Sequence, residues 1–327
     1  MDERQKQKGD EPGMKTLVNR SGIFAFVIVC LCALMLAGCS ASATQKGQTT
    51  QQASDASGQT YRPKKFRLGL FGSDEAAERI KKFSPLCEYL KQQLGMEVEL
   101  FIGSDYVTVV EALTAKKVDA MYVGPFSYVL AAQEANAEAI TAGVDAEGKT
   151  YYHSLILTRT SSEIKSMDDL KARSKQLTFA FVDPASTSGH LFPRVMLSKA
   201  GIDPDKDFKQ TIFAGSHPAS LLAILNGKVD AGANSSGNYK KMIDQGVAKA
   251  EDFRILATSD PIPNTPLAVR RDLDLNLKAK FRQAILDAPP ELLKNSFGSV
   301  QRPVTDKDYD VIRETARILK LDLRSMH

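Results

Sequence analysis

Between residues 66 and 319 the apolar positions alternate between two spacings. Short continuous runs rich in β-branched and aromatic residues occupy 66–71, 97–102 and 118–122. Each is followed by a turn containing Gly, and then by a stretch with apolar residues three and four apart, over 75–94, 107–116 and 126–136. The first spacing predicts buried strands and the second amphipathic helices. Strands that alternate with helices predict a parallel sheet covered on both faces. Two further strands are expected at 140–144 and 153–159, joined by a turn at 145–148. The pattern then restarts, with strands at 177–182, 210–214, 229–232 and 254–258 and helices at 191–199, 219–226 and near 239–245. A stiff proline-rich connector at 260–266 leads to a strand at 267–271 and helices near 277–287 and 306–319.

The two series repeat each other. Ala112-Leu-Thr-Ala-Lys-Lys-Val-Asp119-Ala matches Ala223-Ile-Leu-Asn-Gly-Lys-Val-Asp230-Ala at an offset of 111 residues. That offset places Tyr106 on His217 and Tyr128 on Tyr239. A period of this length implies duplicated lobes and not a solenoid. Asp119 and Asp230 occur in both copies, which argues for architecture; Tyr128 and Tyr239 read as packing residues. Tyr106 and His217 instead fall where a strand ends and a helix begins, the edge at which open α/β sheets bind ligands. Two facing lobes would bring both to one cleft.

The same cleft would receive the turn Asp183-Pro-Ala-Ser186-Thr187-Ser188-Gly189, which lies between a strand and a helix. The first backbone N–H groups of a helix lack intrahelical partners, and the dipole makes that end positive. Ser and Thr are common caps there, and their hydroxyls can also donate to an oxyanion. One hydroxyl would need no further explanation than capping; three in succession before a glycine leave both readings standing.

Apolar residues make up 43% of the chain and charged residues 25%, as in globular proteins. The net charge of +4 gives no footprint for nucleic acid. At the amino end, Lys15 and Arg20 precede an apolar run at 23–36 that closes in Leu36-Ala37-Gly38-Cys39. The run is short for a membrane span and fits a signal-peptide core. Its end resembles the bacterial lipobox, which implies cleavage before Cys39 and diacylation of its sulfur. Met14, just before the basic residues, is the expected start. The Ser/Thr/Gln-rich segment that follows, to residue 62, reads as a flexible tether. Of the other cysteines, Cys30 and Cys32 leave with the signal and Cys87 sits in a helical apolar pattern, so neither a disulfide framework nor a metal site is expected.

With the lipobox, the segments Tyr122-Val-Gly124-Pro125-Phe-Ser-Tyr128, Asp183-Pro-Ala-Ser-Thr-Ser-Gly189, Ala214-Gly-Ser-His217 and Ser259-Asp-Pro-Ile-Pro resemble the PhnD-like family. These are the substrate-binding proteins of phosphate, phosphite and phosphonate ABC importers, and the likeness covers about residues 64–320. It implies a type II periplasmic-binding fold, α/β, each lobe a mostly parallel sheet flanked by helices and joined by two crossover segments. Lobe 1 would comprise 63–158 and 266–327, and lobe 2 159–265. It implies an extracytoplasmic, lipid-anchored monomer that binds no cofactor, metal or nucleic acid and delivers its ligand to permease subunits with an ATPase. It also implies an oxyanion held by Ser186, Thr187, Ser188, Tyr106, Tyr152 and His217, with Ser73, Tyr122, Asn234 and Thr265 as further cleft residues. Tyr151 rivals Tyr152, since strand neighbours face opposite sides.

One departure narrows the ligand. Family members that take aminoalkylphosphonates place carboxylates where this chain has Asn234-Ser-Ser-Gly-Asn238 and Asn264-Thr265. A buried ammonium would lack a partner there, so the expected guest is phosphite, methylphosphonate or a related amine-free oxyanion. None of the cleft residues so read is Arg or Lys. An enzyme on the same fold would need paired carboxylates, a nucleophile with its base or metal-ligand spacing, and none is evident. A binding protein for a different small ligand, or a receptor uncoupled from transport, is the alternative.

Overall fold

The computed structural model describes residues 60–72, 76–145 and 147–319. The expected signal segment, Cys39, most of the tether and Ser73 lie outside them.

The chain begins β1 (Phe66–Phe71), α1 (Ala76–Leu94), β2 (Val98–Gly103), α2 (Tyr106–Thr114), β3 (Ala120–Tyr122), α3 (Pro125–Glu134) and β4 (Ala137–Val144). It crosses through β5 (Tyr151–Tyr152) into β6 (Ser154–Arg159), α4 (Met167–Arg173), β7 (Thr178–Phe181), α5 (Phe192–Lys199), β8 (Gln210–Phe213), α6 (His217–Leu225), β9 (Ala231–Ser235), α7 (Ser236–Asp244) and β10 (Phe253–Thr258). It returns through β11 (Ile262–Pro263) to β12 (Pro266–Arg270), α8 (Leu275–Leu286), α9 (Pro290–Ser296), β13 (Val300–Pro303) and α10 (Asp310–Ile318).

Two sheets result. The first has the order β2-β1-β3-β12-β4-β13 and the second β8-β7-β9-β6-β10. In each, the three strands from the βα repeat run parallel, and a reversed strand lies beside the third. That reversed strand, β12 or β6, has in both cases just crossed from the other lobe. Strands β5 and β11 pair antiparallel, Tyr152 opposite Ile262, and bind the two crossings together.

The 111-residue offset holds beyond the matching nine-residue segments. Helices α2 and α6 begin on Tyr106 and His217, capped by the side chains of Asp105 and Ser216. Asp119 Oδ2 accepts the N–H of Arg67 at 2.8 Å, and Asp230 Oδ2 accepts that of Thr178 at 2.8 Å. Arg67 and Thr178 are themselves 111 apart, so each aspartate clamps the start of the first strand of its βα repeat, β1 or β7. The Cys87 thiol is buried on α1 and its pKa is pushed up to about 11 by that burial.

Some expectations need correction. Strand β6 pairs with β9 and β10, so the first crossing precedes residue 154 and does not follow 158. An apolar run states that it is a strand but not which sheet admits it. The tether expected to run to 62 ends sooner: Tyr61 N–H donates to Asp272 O at 2.7 Å and its ring lies under the Arg270 guanidinium, so the folded body already includes it. Helices α4 and α9 and strand β13 are additional to the elements expected from the sequence.

The lobes also share a core. Val182, Ala185, Leu191 and Phe192 of the second lobe pack with Phe126, Val129, Tyr309 and Ile312 of the first in one buried cluster. Ser127 Oγ donates to Ala185 O at 2.9 Å across the same junction.

Candidate functional site

The cleft between the lobes has a volume of about 620 Å³. Tyr106, Tyr122, Tyr152, Ser186, Thr187, Ser188, His217 and Thr265 all line it. Its floor is the Ser-Thr-Ser turn, which continues as one π-helical turn, Thr187–Leu191, into α5. Ser186 Oγ accepts the N–H of Gly189 at 3.1 Å and so caps that turn. Gly189 has no room for a side chain: a Cβ there would come within 2.3 Å of Val182 Cβ. The turn is therefore pressed against Val182, just past the end of β7, and its three residues line the cleft.

Capping and anion binding are compatible at these residues. Thr187 Oγ1 accepts from the N–H of Phe126, in the first turn of α3 of the opposite lobe, at 2.8 Å. Its own O–H is then left to donate. The Tyr106 phenol interacts with the Ser186 hydroxyl, and the Tyr152 phenol with those of Ser188 and Thr187. Ser188 Oγ stands 3.5 Å from His217 Nε2. Burial holds both phenols in the protonated form; that of Tyr152 is pushed up to about 12. Tyr106 is fixed further by Phe71, whose ring centroid lies 4.1 Å away.

His217 is held by its backbone. Its carbonyl accepts from Asn234 Nδ2 at 2.7 Å, while Asn234 Oδ1 takes the Ser235 N–H and Asn238 Nδ2. Asn234 was expected to line the cleft; it is fully buried behind it and positions the histidine instead. Tyr122 does line the cleft, but its hydroxyl donates to Phe297 O at 3.1 Å and offers a ring rather than a donor. Tyr151 and Tyr152 both border the space, the first at the mouth with 40% of its surface exposed. Two-residue β5 is too short to hold the strict alternation that was to separate them.

Basic groups were missed. Arg79 of α1, Lys149 and Lys240 line the cleft, as do Asp145, Glu147 and Ser236. Lys149 is paired with Glu147 and Lys240 with Asp244. Asp145 Oδ1 accepts the N–H groups of residues 147 and 149 in its own turn. No spacing rule finds such residues, because their convergence is created by the packing of distant elements. His190 does not line the cleft; Nδ1 bonds Pro184 O and Nε2 accepts from Arg194.

Burial lowers the pKa of His217 to about 4, so it is neutral near pH 7. That of His190 falls to about 4 too, through burial first and the charge of Arg194 second. Burial raises Asp183 to about 6. Unfolded imidazoles titrate near 6.5, so between there and 4 the unfolded chain binds more protons and acid favours it. Asp183 acts in the opposite sense, since its folded carboxyl holds a proton that the unfolded one releases near 3.8. Two imidazoles against one carboxyl leave a net loss of stability in the unliganded protein as pH falls from about 7 to about 4.5. Urea midpoints at the two pH values check this. The gap should narrow in His217→Gln, and a gap untouched by that change would contradict the assignment.

The family model for "ABC transporter, phosphonate, periplasmic substrate-binding protein" matches residues 69–309. The Phosphate-import protein PhnD of Mycolicibacterium smegmatis is 31% identical over 282 residues, covering 78% of this chain and 86% of that one. The Phosphonates-binding periplasmic protein of Escherichia coli is 29% identical over 218 residues, or 67% of this chain; the chain spans 64% of that relative's length. Among solved structures, a binding protein component of an ABC phosphonate transporter from Pseudomonas aeruginosa superposes with a TM-score of 0.72 at 27% identity, over 78% of this chain and 86% of that one. PhnD1 of Prochlorococcus marinus in complex with methylphosphonate, 22% identical, shares the fold with a TM-score of 0.70 over 79% of this chain and 99% of that one. The duplicated lobes, the paired crossings and the matched span together place the chain in the family of periplasmic substrate-binding proteins of phosphonate-type ABC transporters.

Proposed function

We propose that this protein captures a small phosphorus oxyanion without an amine (phosphite, methylphosphonate or phosphate) and hands it to an ABC permease driven by an ATPase. It works outside the cytoplasm as a monomer, held at the membrane by lipid on Cys39. The observation that carries the ligand class is the convergence of the three hydroxyls of 186–188 with the phenols of Tyr106 and Tyr152 and the imidazole of His217 on one interlobe cleft. All six are uncharged near neutral pH and all can donate. Each bond from such a donor to a charged acceptor contributes roughly 1.5–3 kcal/mol, so several of them hold a multiply charged anion without a cation in contact. Relatives are named for phosphonates, phosphate and phosphite, which differ by one substituent on phosphorus.

The absence of an ammonium site is supported by the segments 234–238 and 264–265, which carry no carboxylate of their own. The nearest acids, Asp145 and Glu147, are engaged by their own turn and by Lys149. A thermal-shift screen against phosphate, phosphite, methylphosphonate and 2-aminoethylphosphonate tests the reading. At a hundredfold excess over Kd a true ligand raises apparent stability by about 2.7 kcal/mol. One or more of the first three should raise the melting temperature, with 2-aminoethylphosphonate weakest. A shift largest for the aminophosphonate would refute the amine-free class, and no shift with any of them would refute the oxyanion.

A further inference from the structure

The cleft is far larger than a four- or five-atom anion needs; 620 Å³ lies in the range of pockets that hold whole organic ligands. The uncharged donors gather at the Ser-Thr-Ser turn and leave the lobe 1 wall to other chemistry. That wall is made of the rings of Phe71, Tyr106 and Tyr122, with the guanidinium of Arg79 beside them. The Arg79 side chain reaches back to Gly72, just past the end of β1: its Nε would be 3.8 Å from a Cβ there. Its charge reaches the phenols of both Tyr106 and Tyr122.

Among the described residues Arg79 has no acidic partner. The acid next to it on α1, Glu78, is taken by Lys82 at 2.8 Å. The other two cations of the cleft, Lys149 and Lys240, are paired. A half-buried guanidinium that faces a ligand cleft, with no acid beside it among the described residues, can take one from the ligand. Its planar fork of donors matches the two coplanar oxygens of a carboxylate. The Tyr106 phenol interacts with the Ser186 hydroxyl and also feels the charge of Arg79, so both chemistries act on the same ring.

Resting on the oxyanion reading above, we infer that Arg79 forms a second subsite and that the preferred substrate class is a phosphonate bearing a carboxylate on a short carbon chain. The phosphonate sits at residues 186–188, the methylene carbons lie against the aromatic wall, and the carboxylate meets Arg79. The sign of the second group is thus opposite to that of an aminoalkylphosphonate.

Calorimetry of the whole folded protein with phosphonoacetate and methylphosphonate, for wild type, Arg79→Gln and Arg79→Lys, decides the matter. Phosphonoacetate should bind wild type at least tenfold more tightly than methylphosphonate. Arg79→Gln should erase most of that preference, weakening phosphonoacetate by tenfold or more and methylphosphonate much less. Arg79→Lys, which keeps the charge without the fork, should restore part of it. If methylphosphonate binds and phosphonoacetate binds no better, the second subsite is refuted while the oxyanion site stands. A preference that survives Arg79→Gln also refutes it. Binding of neither compound to wild type would sink the oxyanion reading itself and this inference with it.

Discussion

Replacing Ser188 and His217 together by alanine is expected to weaken binding of phosphite, methylphosphonate and phosphate by roughly two to four powers of ten. The range follows from two lost donors to a charged acceptor, each contributing about 1.5–3 kcal/mol. The protein should stay folded. Ser188 Oγ makes only a 3.5 Å contact with His217 and an interaction with the Tyr152 phenol, and neither holds an element in place. The bonds that do fix the turn, Ser154 Oγ to Ser188 O at 2.7 Å and Asn234 Nδ2 to His217 O at 2.7 Å, involve backbone oxygens that alanine retains. Isothermal calorimetry beside a circular-dichroism melt separates the two effects. Undiminished affinity in the double variant would remove the ligand from this turn.

The second large effect concerns stability and tests the duplication. Asp119 and Asp230 make the same clamp in their lobes, but only Asp119 faces a buried cation. Its Oδ1 lies 3.7 Å from Arg270 Nη1, a distance for an ion pair but not a hydrogen bond, and both side chains are almost fully buried. Removing one partner of a buried pair destabilises by about 3–5 kcal/mol, because the other charge remains without compensation. Arg270 keeps a two-pronged contact with Asp272, which puts Asp119→Ala at the lower end. Asp230→Ala strands one backbone N–H and should lose only about 1–3 kcal/mol. Urea unfolding of the two variants gives the comparison, and equal losses would mean that Arg270 is adequately served by Asp272 alone.

These residues also show what the sequence discloses. The duplication was visible because both copies keep the same lengths between strand and helix, so Tyr106 and His217 could be equated and the cleft drawn from them. The Ser186–Ser188 turn announced itself by composition. Positions that depend on a third element stayed hidden. Strand β6 looks like any apolar run, and only its pairing with β9 assigns it to the second lobe. Arg79 is one of several charged residues on α1, and nothing in a helical repeat says that its side faces a cleft. Asn234 lies at the right height on β9 but its amide turns inward to the His217 carbonyl. Tyr122 was placed at the cleft while the acceptor of its hydroxyl, Phe297 O, lies 175 residues away.

The late return of β12 to the first sheet has a consequence for how the molecule can be made. In the first sheet β12 lies between β3 and β4, yet it is the chain's return from the opposite lobe. A polypeptide leaving a secretion channel amino end first would show β1 to β4 with a gap at the middle of their sheet until Pro266–Arg270 had followed. Strands β6 to β10 of the second sheet follow one another in the chain, so it is the first lobe whose completion waits on export of the second.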